Sequence, residues 1–310
     1  MKKIMSMVLE ERLNTFLVQT GALSREQLGF RRKSGTSEAV LALSEVVRNA
    51  AREGPVLTAF VDIRAAYDSV IREILYAKML RMGIGGNFLT TIQEFYHATT
   101  SELEVGGYAL GTVVIELGLA QGSHLSPTLF NINIYINSCI RGLSENAHAK
   151  SVREGVRYGL YLPPATGDLQ THSIVSLWYA DDHGAIFETD IHRLQWLVDE
   201  MSKILAEIGL RVNVRKTKLM ATAGHKESMA SLQRFVDDIE MRNPLTVYGE
   251  VVQVVPEFSY LGIMMNSRRN WKSARSKAHK KASLKFYEAI LGGTFIGSKT
   301  LAEMTTFAKG

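Results

Sequence analysis

Apolar residues recur every three or four positions from residue 5 to 20 and again from 37 to 52, the second time as Ala39, Val40, Leu43, Val46 and Val47. That spacing predicts two amphipathic helices, joined by a turn-rich basic stretch, FRRKSGTS, at 30–37. Gly54-Pro55 breaks the pattern, and the uninterrupted apolar run VLTAFVDI after it reads as a buried strand. Helical spacing returns over 69–82 and stops at Gly83. Two β-like runs, Leu103 to Val105 and Thr112 to Leu117, flank Gly106, Gly107 and Gly111 and predict a hairpin. Ser126-Pro127 reads as an N-cap and a first helical position, so TLFNINIYINSCIRGL should be helical from there. Residues 144–172 are polar, with Pro163-Pro164 and Gly167-Asp168, and read as a loop or ribbon.

Beyond that loop, SIVSLWYA and HGAIFE read as two short strands with Asp181-Asp182 near their turn. Residues 192–208 carry Leu194, Leu197, Val198, Met201, Ile204, Leu205 and Ile208 on one helical face, with Gly209 as the stop. LRVNV alternates as a strand, and VVQVVPEFSYLGIMM predicts a last β pair. Helices and strands intermingle without a regular βα alternation, which is an α+β pattern.

Composition narrows the class. The chain has 310 residues, 46% hydrophobic and 22% charged, an ordinary folded mixture long enough for about two structural units. Its longest apolar runs fall far short of the roughly 20 residues a membrane span needs, so no membrane partner is expected. Glu10 and Glu11 interrupt the first apolar stretch, and no secretion signal is read there. A single cysteine, Cys139, excludes an internal disulfide and a multi-cysteine zinc site. The net charge of +5 is segregated: residues 266–310 sum to +8 and the remainder to −3. Such a basic segment beside a near-neutral body points to a polyanionic partner.

Two buried-looking strands end in acid. Asp62 lies inside AFVDI, and Asp181-Asp182 sit between LWYA and GAIF. An ionised carboxylate in such surroundings is costly unless paired, hydrogen-bonded or bound to metal. Three that converge need a cation, and an oxygen-rich site of this kind suits Mg²⁺, a pair of ions being the usual device for in-line phosphoryl transfer.

The order AFVDIRAAYD, GLAQGSHLSP, YADD, GLRVNVRKTK and FSYLGI resembles the successive palm motifs of reverse transcriptases. QLGFRRKSGTSEAV upstream is similar to the finger segment of LINE-type, non-LTR retrotransposon enzymes. The resemblance implies a right-hand polymerase with an antiparallel palm sheet packed on helices. It divides the chain into partial fingers at 1–55, a palm at 56–265 with a fingers insertion near 84–117, and the start of a thumb at 266–310. By that measure the chain is a fragment without the start of the fingers and most of the thumb.

The same resemblance implies roles. Asp62, Asp181 and Asp182 match the catalytic carboxylates that hold two Mg²⁺ ions, for which Mn²⁺ can substitute. Tyr67 matches the steric gate that rejects a 2′-hydroxyl. Gln121 and Gly122 match the motif that approaches the incoming nucleotide and template base. Lys216 falls at the lysine near the pyrophosphate leaving group, with Lys218 as the competing candidate for a general acid. Arg31, Arg32 and Lys33 match the finger residues that grip the triphosphate, and the choice among them stays open. Tyr260, Leu261 and Gly262 match the hairpin that supports the primer end. Lys272, Lys277, Lys280, Lys281 and Lys285 are placed to track a template-primer backbone. The implied activity is RNA-directed DNA polymerisation, with an RNA template, a DNA primer and dNTPs as partners. An RNA-dependent RNA polymerase, against which Tyr67 argues, and an inactive nucleic-acid-binding fragment are the alternatives.

Overall fold

Six consecutive buried residues, Val56–Val61, form β1, the centre of the main sheet in the computed structural model of this chain. The structure describes residues 2–270 except 23, 25, 30–34, 98–99, 121, 132–134, 163–171 and 180–183. Before β1 lie α1 (Lys2–Gln19) and α2 (Thr36–Ala50). After it come α3 (Arg72–Arg81), α4 (Gly86–Tyr96), the hairpin β2 (Thr100–Val105) and β3 (Tyr108–Val114), then α5 (Leu125–Asn131) and α6 (Asn137–Glu154). The chain continues through β4 (Leu160–Leu162), β5 (His172–Ile174), β6 (Ser176–Leu177), β7 (Gly184–Glu188), α7 (Ile191–Glu207) and β8 (Lys218–Thr222). The last elements are α8 (Met229–Arg242), β9 (Thr246–Val247), β10 (Glu250–Val251), β11 (Gln253–Val254), β12 (Glu257–Tyr260) and β13 (Ile263–Asn266).

The main sheet has the order β11-β8-β1-β7-β6, with β1 antiparallel to both neighbours and β11 parallel to β8. Alternate residues of a strand point to opposite faces, and β1 feeds two cores accordingly. Leu57, Ala59 and Val61 join Leu194, Leu197, Val198, Met201 and Leu205 of α7 on one face. Val56 and Phe60 join Val40, Leu43, Val46 and Val47 of α2 on the other, together with Tyr260. A sheet covered on both sides needs apolar residues at every position of its central strands, which is why VLTAFV shows no alternation. Asp190 caps α7, its side chain accepting from the Arg193 backbone N–H at 3.0 Å.

Three expectations are corrected. The helix near Ser126 starts at Leu125, two residues before the expected first position, Pro127, and Ser126 does not cap it. Its buried hydroxyl donates to the Ala120 carbonyl at 2.7 Å and meets the Tyr96 hydroxyl at 2.9 Å. The polar segment from 144 is helical as far as Glu154, because α6 needs only Cys139, Ile140, Leu143 and Ala147 as its buried stripe. LRVNV contributes one isolated bridge, Ile63 to Val212, and the strand of this region is β8. Among the described residues no helix is long and apolar enough to cross a membrane.

Candidate active site

The registers of β1 decide which residues meet at each end of the sheet. Val61 pairs with Gly184, the first residue of β7, and Phe60 pairs with Lys218, the first residue of β8. Asp62 therefore leaves β1 at the end where β7 and β8 begin. Asp181 and Asp182 lie outside the described residues; Gly184 follows Asp182 two positions along the chain.

Asp62 is 8% exposed, and the turn before β8 grips its backbone. Its N–H donates to the Thr217 hydroxyl at 3.3 Å, its carbonyl accepts from the Asn213 N–H at 2.8 Å, and the next contact is Arg64 N–H to the Arg211 carbonyl at 2.8 Å. The turn is itself closed by the N–H groups of Lys216 and Thr217, both donating to the Asn213 carbonyl. That closure sets the Lys216 ammonium 3.9 Å from Asp62 Oδ2 while leaving the lysine side chain 68% exposed. So open a pair contributes at most about 1 kcal/mol to stability, which leaves the ammonium free to change partners. Lys218, by contrast, donates to the Arg215 carbonyl at 2.8 Å and to Gln253 Oε1 at 2.9 Å. It ties β8 to β11. Among the described residues no three His, Cys, Asp or Glu side chains gather at one point.

Tyr67 stands on the loop that follows. Ala65 adopts a left-handed φ of 44°, and Ser69 N–H closes on the Ala65 carbonyl at 2.9 Å. The half-buried Tyr67 ring packs at 5.2 Å, tilted, on Phe130 of α5. The loop is clamped from behind by residues 118 and 119, whose N–H groups donate to the Val70 and Tyr67 carbonyls at 2.9 Å. Gly118 has φ +82°, and a methyl group there would stand 2.9 Å from Asp68 Cα, so both conformation and space demand glycine. Arg72, 7% exposed, fixes the same strip by donating to the carbonyls of Gly118 and Tyr96, each at 2.9 Å.

Gly122 is exposed, with φ +80° and open space around it; Gln121, Arg31, Arg32 and Lys33 lie outside the described residues. Tyr260, Leu261 and Gly262 form the turn of the β12–β13 hairpin, with Tyr260 opposite Ile263 and positive φ at Leu261 (50°) and Gly262 (80°). Their environments differ. Tyr260 is fully buried, its ring 5.7 Å from Phe60, whereas Gly262 is exposed at the tip. On the adjoining strand, a Cβ at Gly184 would overlap the buried Trp178 ring.

The family model for reverse transcriptase (RNA-dependent DNA polymerase) matches residues 1–265. The chain belongs to the reverse transcriptase family. Two Drosophila melanogaster proteins are similar to it. One is the RNA-directed DNA polymerase from mobile element jockey, 31% identical over 131 residues, which is 42% of this chain and 14% of that protein. The other is the retrovirus-related Pol polyprotein from type-2 retrotransposable element R2DM, 23% identical over 240 residues, 76% of this chain and 20% of that protein. Both names belong to mobile elements, in line with the LINE-type resemblance read from the motifs. The chain thus spans at most about a fifth of the relatives it matches.

In this reverse transcriptase family member the mixed helix and sheet architecture, with a main sheet antiparallel except at β11, is compatible with a palm. Motif reading alone passed over the residues that hold the site. Thr217, Asn213, Gly118 and Arg72 act through hydrogen bonds to or from backbone atoms, and Gly184 through the room it leaves the Trp178 ring, so a search for catalytic acids and bases does not single them out. One signal was present: Gly118 opens the GLAQGSHLSP motif, and Gly184 follows the YADD motif two positions on.

Proposed function

We propose that this chain is the fingers-palm part of an RNA-directed DNA polymerase that adds dNTPs to a primer 3′-hydroxyl. The observation that carries the reading is the sheet register, which starts β7 and β8 at the end where β1 delivers Asp62, with the Lys216 ammonium 3.9 Å from that carboxylate. Residues 1–55 are read as fingers, 56–265 as palm with a fingers insertion near 84–117, and 266–310 as the start of a thumb.

In the reaction the primer 3′-oxygen bonds to the α-phosphorus of the dNTP, the α–β bridging bond breaks, and pyrophosphate leaves. Asp62, Asp181 and Asp182 are oxygen donors of the kind that suits Mg²⁺ and would hold it, and Asp62 sits buried just past the end of β1. Two such ions, when bound, supply an acidified 3′-hydroxyl and neutralise the triphosphate. Lys216, loosely held and exposed, swings from Asp62 toward the leaving group and donates a proton to it. Tyr67, braced by Phe130, fills the space a ribose 2′-hydroxyl would take. Arg31, Arg32 and Lys33 grip the triphosphate, while Gln121 and Gly122 lie against the nascent base pair. Leu261 and Gly262 at the hairpin tip support the primer end, and buried Tyr260 anchors them.

Primer extension on an RNA template with dNTPs and Mg²⁺ tests this, wild type against the Asp181→Asn, Asp182→Asn double variant. Extension by the wild type and its loss in the variant is the expected result. No extension by folded wild-type protein would leave only the nucleic-acid-binding alternative. Equal use of dNTPs and rNTPs would remove Tyr67 from its role.

A further inference from the structure

The end of the sheet opposite Asp62 gathers arginines. Here β1 begins, β7 ends (Leu57 pairs with Glu188) and β8 ends (Val56 pairs with Thr222). Along β1 this end lies about 17 Å from the Asp62 end, at roughly 3.3 Å per residue. A cavity of about 400 Å³ opens between the end of α2, the start of β4 and the start of α7, lined by Arg52, Arg157 and Arg193 with Glu53 and Thr189.

A second group adjoins it through Arg52. The His225 N–H donates to the Ala51 carbonyl at 2.7 Å, bringing exposed His225 beside Arg52. Its imidazole is held below its ordinary value, by desolvation first and then by the positive charges of Arg269, Arg52 and Arg48. Arg269 reaches this place because Ser267 bonds both the Ala223 N–H and the Pro256 carbonyl, and it then takes a left-handed φ of 54°.

The charges here are only partly matched. Glu188 is buried and takes the Arg193 guanidinium at 3.2 Å, and Glu45 pairs with Arg48. Arg52 and Arg269 make no side-chain hydrogen bond or ion pair with any described residue, and Arg269 Nε is buried without a partner. A buried donor left unsatisfied costs about 1–3 kcal/mol. Arg269, half-buried and in left-handed backbone, brings its positive charge to this end of the sheet with no described acid to offset it. Arginine forks match phosphate oxygens bidentately, and Arg52 and Arg157 line one cavity.

We propose that Arg52, Arg157 and Arg269 form an accessory site for the phosphodiester backbone of a nucleic-acid strand, on the end of the sheet away from Asp62. This goes beyond the polymerase reading and rests on it only for nucleic acid as the source of the phosphates. A site so placed holds a stretch of strand that is not being copied, which keeps the protein on its template between additions.

The test is fluorescence anisotropy of the full chain with a labelled single-stranded RNA and a DNA of the same sequence, across a salt series. The Arg52→Gln, Arg157→Gln, Arg269→Gln variant is expected to bind at least about tenfold more weakly. The slope of log affinity against log salt should shrink by about 0.7 for each phosphate that the variant no longer neutralises. Equal weakening with both strands assigns the binding to phosphate alone, and weakening confined to RNA assigns it to an RNA strand held also through its 2′-hydroxyls. Unchanged affinity and slope with both overturn the proposal. Lysines at the three positions should restore most of the slope. Should the glutamine variant unfold, phenylglyoxal labelling of wild type decides: Arg52 and Arg269 must be protected by the oligonucleotide, and absence of protection refutes the site. Primer extension at saturating template-primer should be unchanged in the variant, so an inactive wild type would sink the polymerase reading without altering the binding result.

Discussion

At the scale of single residues, the site depends on groups that hold the chemistry rather than perform it. Thr217 is fully buried and its hydroxyl receives the Asp62 N–H. Thr217→Val keeps the shape and removes the acceptor, so it should cost about 1–3 kcal/mol in urea unfolding and lower the extension rate, with Thr217→Ser restoring both. The two lysines separate in the same way. Lys216→Ala should slow single-turnover incorporation and reduce its solvent isotope effect, whereas Lys218→Ala should leave the chemical step alone and loosen the β8–β11 contact. Equal kinetic losses from both would mean that neither is the proton donor. For Gly118, alanine meets Asp68 backbone at a φ that L-residues avoid. Gly118→Ala should destabilise by more than about 1 kcal/mol and, by shifting the Tyr67 loop, raise rNTP incorporation relative to dNTP. What the sequence offered at this scale was candidate chemistry: acids, a tyrosine and two lysines in motif order. Which lysine stands beside the Asp62 carboxylate was not legible, because that turns on how the five-residue turn from Asn213 to Thr217 closes.

Among elements, legibility followed the way each buries its apolar face. Helices α2 and α7 each present a broad stripe to a core, and their spacing shows it. Helix α8 sets Leu232, Phe235, Val236 and Ile239 against the core at helical spacing, a stripe that the motif-led reading passed over. Strand β8 is central and buried almost throughout, so it lacks the alternation that made LRVNV look like the better strand. The β12–β13 hairpin was legible as a β pair, but not its division into a buried anchor and an exposed tip. That division predicts opposite phenotypes. Tyr260→Ala empties a fully buried aromatic site and should cost about 3–5 kcal/mol in thermal or urea unfolding. Leu261, half-buried against the same core, should cost less than Tyr260 when replaced by alanine, and Leu261→Ala should raise the apparent KM for primer-template. A tip substitution that unfolds the protein, or an anchor substitution that does not, would reverse the assignment.

For the whole molecule, one sheet carries two different ends, the Asp62 end and the arginine end, and the second grouping is not visible in the sequence because Arg52, Arg157 and Arg269 come from distant segments. The body that keeps those ends apart is locked by buried polar contacts between elements, and Tyr96 is central among them. It is 1% exposed, its hydroxyl meets Ser126 of α5, its carbonyl accepts from Arg72 of α3, and the Arg72 guanidinium lies 5.5 Å from its ring centre. Burial, only partly offset by the Ser126 hydrogen bond, pushes its phenol up to about 12. The unfolded chain releases this proton near the ordinary tyrosine value of about 10, whereas the folded chain keeps it. Stability from this group is therefore complete below about pH 10 and falls as pH rises toward about 12, by at most about 1.4 kcal/mol per pH unit. Urea unfolding at pH 8, 10 and 11 should show that decline in the wild type and a shallower one in Tyr96→Phe, which has no proton to hold. Absorbance at 295 nm should show Tyr96 ionising only as the protein unfolds. A phenolate appearing in folded protein near pH 10, or identical pH slopes for the two proteins, would mean that Tyr96 is open to solvent and does not lock α3, α4 and α5 together.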